Sequence, residues 1–134
     1  MISDELHDLL SLLAATIFAD KRVFAKEIET FLKTTESIRR IQKTEDVISE
    51  AKLLSWFDSN VDIIRTKLQS TDFEQWFYGC LDRLDGLQGK QILIDTMTEI
   101  AMADDEFHIS EQALIVLTAN HWKLRLPALM QTQL

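Results

Sequence analysis

The chain has 134 residues, 46% of them hydrophobic, and a net charge of −8. It is too apolar for disorder and long enough to bury a core without staples, and an acidic body repels phosphate backbones, so nucleic acid is not an expected partner. Cys80 is the only cysteine, which excludes an internal disulfide and a cysteine zinc cluster.

The first expected element is an amphipathic helix over about residues 3–19. Leu6, Leu9, Leu10, Leu13, Ala14, Ile17 and Phe18 recur at helical spacing. Ser3 is a good N-cap, and Asp4 and Glu5 suit the positive end of the helix dipole. Residues 20–23, DKRV, break the pattern. A second helix follows, with Ile28, Phe31, Leu32 and Ile38 facing inward. Residues 44–69 read as mostly helix, capped by Thr44 or Ser49, with Leu54, Phe57, Val61, Ile64 and Leu68 on one face. Thr71 and Glu74 have capping-box spacing. Phe73, Trp76, Phe77, Cys80, Leu81 and Leu84 form the next stripe. It closes at residues 85–89, DGLQG, where a glycine suits the left-handed position after a helix. A fifth helix carries Leu93, Met97, Ile100 and Ala101, and a sixth carries Ala113, Leu114, Val116 and Leu117. Pro127 fits the first turn of a short last helix.

No stretch alternates with period two. The expected fold is therefore all-α, a single compact domain of about seven helices over residues 1–134. Leu10, Leu13, Ile17, Phe31, Phe77, Met97, Ile100 and Leu117 are expected in the core. Trp56 sits at the edge of its stripe and serves either a wide core face or a partner surface, where tryptophan anchors are common.

Two segments repeat. Residues 18–27 read FADKRVFAKE and residues 102–111 read MADDEFHISE, an offset of 84. Each is an apolar residue, Ala, Asp, two variable residues, Val or Phe, three variable residues and Glu. Leu13 matches Met97 and Phe31 matches Ile115 at the same offset. The chain thus contains two similar helix-turn-helix hairpins, a pair rather than a solenoid array.

In these motifs the chain resembles the TerB-like family, which includes bacterial tellurite-resistance proteins and a region of some DnaJ-type co-chaperones. The likeness lies in Ala-Asp at a helix end (Asp20, Asp104), a hydrophobic residue three positions on (Val23, Phe107), and Glu four further (Glu27, Glu111). The family's usual Gly after the Asp is replaced by Lys21 and Asp105, and its polar cap by Phe24 and His108. The resemblance implies an all-helical domain, association with metal through acidic residues, and a stress- or tellurite-related setting.

The acids of the junctions have two readings. With Phe24 and His108 at the N-caps, Glu27 and Glu111 fall at the third helical position, where each accepts a backbone N–H and complements the dipole. Asp20 and Asp104 instead follow a helix C-terminus, where a carboxylate is disfavoured. Either the N–H groups of the next helix or a bound cation compensates. Asp104, Asp105, Glu106 and Glu111 are oxygen ligands suited to Ca²⁺, Mg²⁺ or Mn²⁺, and Asp20 and Glu27 occupy the matching places. The first junction is poorer for a cation because Lys21 and Arg22 repel it. The EF-hand order and its glycine are missing. Asp4 with His7, and Asp105 with His108, share the carboxylate-x-x-His spacing of di-iron bundles, but nothing selects the bridging glutamates that Glu29 and Glu99 would have to supply.

No nucleophile has a visible activating partner, and Cys80 lies on an apolar stripe as a small core residue. The basic run at residues 39–43, RRIQK, reads as a solvated helix end. No apolar run approaches the ~18 residues of a membrane span, and the N-terminus lacks the pattern of a signal peptide, which points to the cytoplasm. The function expected is a non-enzymatic binding module with a protein partner or homo-oligomer. A carboxylate-bound metal enzyme, or an interaction protein without metal, is the alternative.

Overall fold

In the computed structural model, residues 2–19, 25–103 and 109–127 are described. Among them are seven helices and no strand: α1 (Asp4–Phe18), α2 (Ala25–Leu32), α3 (Thr35–Gln42), α4 (Glu50–Leu68), α5 (Phe73–Arg83), α6 (Lys90–Ala101) and α7 (Ile109–Trp122). None is long and apolar enough to cross a membrane.

Two helices form the centre. α1 packs against α4, α5 and α6, and more lightly against α2 and α7. It is buried on every side from Asp8 to Phe18, including Ser11, Leu12, Ala15 and Thr16, which an amphipathic reading placed outside. The polar members are accommodated because their hydroxyls donate back along the helix. Ser11 bonds the His7 carbonyl at 2.8 Å and Thr16 the Leu12 carbonyl at 3.0 Å. α6 is the second central helix and uses the same device, with buried Thr98 donating to the Ile94 carbonyl at 2.9 Å.

The repeat is visible in the architecture. α2 and α7 carry Glu27 and Glu111 at the shared offset of 84. α1 packs on α6, α2 packs on α6 and α7 packs on α1, so the second helix of each unit covers the first helix of the other. The matched pairs Leu13 and Met97, and Phe31 and Ile115, have no exposed surface. The units diverge at Thr34 and Thr118. Thr118 continues α7, bonding the Leu114 carbonyl at 2.8 Å. Thr34 bonds the Phe31 carbonyl only three residues back, and the chain breaks between α2 and α3. Ile38 therefore belongs to a separate helix and not to the second one.

Several local expectations are corrected. Ser49, not Thr44, caps α4, accepting from the Lys52 N–H at 3.2 Å. On α4, Phe57 and Ile64 of the expected stripe are buried and Val61 and Leu68 partly so, but Leu54 is 43% exposed and Leu53 and Trp56 widen the buried face instead. Trp56 is core, its ring tilted against Phe31 at 6.4 Å. Asp72 stands at the N-cap of α5 and no side chain caps that helix, so Thr71 does not act in a capping box. Leu117 is only partly buried, because α7 turns Leu114, Ile115, Thr118, Ala119 and Trp122 inward. The short helix expected after Pro127 lies outside the described residues.

Glycine does not end α5 in a left-handed turn. No described glycine has positive φ; the left-handed residues are Lys43 (φ 52°) and Lys123 (φ 57°), which close α3 and α7. Behind each, an N–H reaches five residues back, Thr44 to the Arg39 carbonyl at 3.1 Å and Leu124 to Ala119 at 2.8 Å.

Candidate functional site

The structure places Glu27 and Glu111 at the third residue of α2 and α7, as the repeat requires. Both side chains have 0% exposure, and neither lacks a partner. Full burial is more than a capping glutamate needs, since a carboxylate taken out of water costs several kcal/mol unless it is compensated. Their position beside the helix N-terminus supplies part of that compensation through the dipole. Asp20, Asp104, Asp105 and Glu106, with Asp105 and His108 of the di-iron spacing, lie outside the described residues. Among the described residues, no three His, Cys, Asp or Glu side chains gather as metal ligands.

The approach to the first junction carries positive charge. The Arg65 guanidinium lies 4.7 Å over the Phe18 ring, beside a crevice of about 100 Å³ lined by Phe18, Ala19, Leu68 and Gln69.

His7 is committed elsewhere. Its Nδ1 accepts from the Trp56 Nε1–H at 3.1 Å, and the rings meet edge-on at 5.7 Å. An indole N–H only donates, so Nδ1 carries no proton in this contact. Asp4, Glu29 and Glu99 are exposed, so the di-iron arrangement does not gather around His7.

A polar network absent from the sequence reading joins α1 to α5. Asp8, 6% exposed, receives a two-pronged contact from Arg83, Nε to Oδ2 and Nη2 to Oδ1, both 2.9 Å. This carboxylate beside it raises the Arg83 guanidinium above its ordinary value. Arg83 also donates to Cys80 Sγ at 3.4 Å. Burial, reinforced by the Asp8 charge, pushes the Cys80 thiol up to about 11. The sign follows: the buried thiol favours folding below its unfolded value near 9.0, and that contribution is lost as pH rises toward 11. The raised value leaves little thiolate, the nucleophilic form, at neutral pH. Folded protein at pH 8 should resist iodoacetamide far longer than urea-unfolded protein; equal labelling rates would show that Cys80 is accessible. The signal for this network was Asp8 itself, an acid one turn into a helix whose later residues are almost all apolar.

On the far side, His121 Nε2 and Asp82 Oδ1 stand 2.8 Å apart, linking α7 to α5, and the His121 ring stacks on Tyr78 at 5.0 Å.

Among the described residues the fold is all-α, with two helix pairs, α1 with α2 and α6 with α7, whose second helices each carry a buried glutamate. The family model described as tellurite resistance protein TerB matches residues 7–128, and the chain belongs to that family. No curated protein and no solved structure matches it.

Proposed function

We propose that this is a non-enzymatic cytoplasmic binding module of a stress or tellurite response, and that its second acidic junction takes up a divalent cation. The family's description supports the setting. The observation that carries the site is the complete burial of Glu111, matched by Glu27 at the equivalent place in the other unit. Asp104, Asp105, Glu106 and Glu111 would hold the ion; all are hard oxygen donors of the kind Ca²⁺, Mg²⁺ and Mn²⁺ prefer. Asp20 and Glu27 are the counterparts in the first unit, where Lys21, Arg22 and Arg65 oppose a cation. An ion at the second junction would supply positive charge to offset these carboxylates. The protonated, buried Cys80 supports a role without nucleophilic chemistry.

A second reading has its own support. Both glutamates stand in the first turn of their helices, the place a capping glutamate takes. Thermal unfolding with added Ca²⁺ or Mn²⁺ separates the two. If a cation binds, the folded state gains about 2.7 kcal/mol when the ion is at 100 times its Kd. Asp104→Asn should abolish that gain, while Asp20→Asn should leave most of it. A wild-type midpoint that responds to neither ion would leave caps as the whole explanation.

A further inference from the structure

The turn between α5 and α6 holds a chemically reactive dipeptide. Asp85-Gly86 is the one place in the chain where glycine follows Asp or Asn. The backbone nitrogen after an Asp can close a five-membered ring on the Asp side chain. Closure is easiest when the residue that carries this nitrogen has no Cβ to obstruct it. Two further conditions must hold. The N–H must be free of a structural hydrogen bond, and the carboxyl must be able to swing toward it.

Both are met at this turn. The Asp85 N–H donates to the Asp82 carbonyl at 3.2 Å and the Leu87 N–H to the Leu84 carbonyl at 2.9 Å. Among the described residues no hydrogen bond holds the Gly86 N–H between them. The Asp85 side chain is 77% exposed, and its tether is the Lys90 ammonium at 3.2 Å, an ion pair open to solvent that holds weakly. A Cβ built at Gly86 meets nothing within 4 Å, so no neighbour crowds the turn at that residue. The N–H after Asp58, by contrast, lies inside α4 and is committed to the helix ladder.

We propose that Asp85-Gly86 is a site of spontaneous isomerisation to a β-linked isoaspartate. The Gly86 nitrogen attacks the Asp85 Cγ and a C–N bond forms. The carboxyl hydroxyl leaves with the proton of that nitrogen as water. Water then adds to one of the two ring carbonyls. Attack at Cγ breaks the new bond and restores aspartate. Attack at the main-chain carbonyl breaks the original peptide bond, so the chain now runs through Cβ and Cγ and the α-carboxylate is free. One water leaves and one enters, so mass and oxidation state are unchanged. The product places an extra backbone atom just ahead of buried Leu87 and of Gly89, which has no room for a Cβ against the Ile41 backbone. It therefore disturbs the seat of α6 on α3.

The test is to age the full-length protein at neutral pH in heavy-oxygen water, folded and in urea, and to separate and fragment its peptides. Folded protein should take the label into residue 85 and yield a second peptide of equal mass with the β-linkage there, at a rate comparable to that of the unfolded chain. Gly86→Ala should lose most of this product. Asp85→Glu, whose ring would need a further carbon, should lose all of it. The β-linked fraction should unfold at a lower denaturant concentration than fresh protein. Label that enters in urea but not in the folded state, that enters in neither, or that spreads equally over the other aspartates overturns the proposal. An unchanged midpoint of the β-linked fraction overturns its effect on the α3–α6 contact.

Discussion

Phe77→Ala is expected to lower the free energy of unfolding by about 3–5 kcal/mol. Phe77 has no exposed surface and is among the largest fully buried side chains. It lies on α5, which packs on α1, α4 and α7, and its ring meets Phe73 at 5.5 Å. Truncation removes the transfer energy of the ring and leaves a cavity in contact with the central helix. α1 is held on several sides and cannot move into that space without opening another contact, so little of the loss is recovered. The midpoint should fall by on the order of 10 °C or more in a domain of this size. Chemical denaturation gives the direct measure, and a loss below about 1 kcal/mol would mean that Phe77 does not fill the core as described.

The helices were legible in the sequence because apolar residues recur at 3.6-residue spacing, and this located α1, α5 and α6 closely. What periodicity does not encode is how many neighbours a helix has. Ser11, Ala15 and Thr16 look like a polar or neutral outer face, yet they are buried because α1 is wrapped by other helices. In α4, the run LLSWF at residues 53–57 supports two overlapping stripes, one through Leu54 and one through Leu53 and Trp56. Only the His7 and Phe31 contacts of Trp56 decide between them. The break at Thr34 was equally hidden, since Thr118 at the matching position continues its helix.

Of the candidate site, the sequence showed the pairing of Glu27 with Glu111 and their place in the first turn. It did not show their burial, because a glutamate at that position ordinarily faces solvent as a cap. Burial is set by how the helices pack on one another, which local spacing does not encode. Asp8 and Arg83 were missed for a related reason: they are 75 residues apart, and no local spacing pairs one with the other.

Gly89→Ala is the other substitution with a large expected effect, and it differs in kind, because it adds an atom rather than removing several. Gly89 precedes α6 with φ −92°, a conformation any residue adopts, so the backbone itself is not strained by a side chain. The obstruction is a neighbour. A Cβ at Gly89 would lie 2.5 Å from the Ile41 Cα and 2.6 Å from its carbonyl oxygen. These are backbone atoms of α3, which cannot rotate aside as a side chain can. Ile41 is fully buried and α3 packs directly on α6, so relief requires the two helices to separate. Overpacking of this sort costs about 1–3 kcal/mol, and a backbone obstacle places the change at the upper end, about 3 kcal/mol. Gly86→Ala is the matched control. A Cβ there meets nothing within 4 Å, and its φ is not positive. It should be neutral or stabilise by about 0.4–1 kcal/mol through the lost freedom of the unfolded chain. Equal effects of the two substitutions in denaturant titrations would show that α3 and α6 do not approach through Gly89.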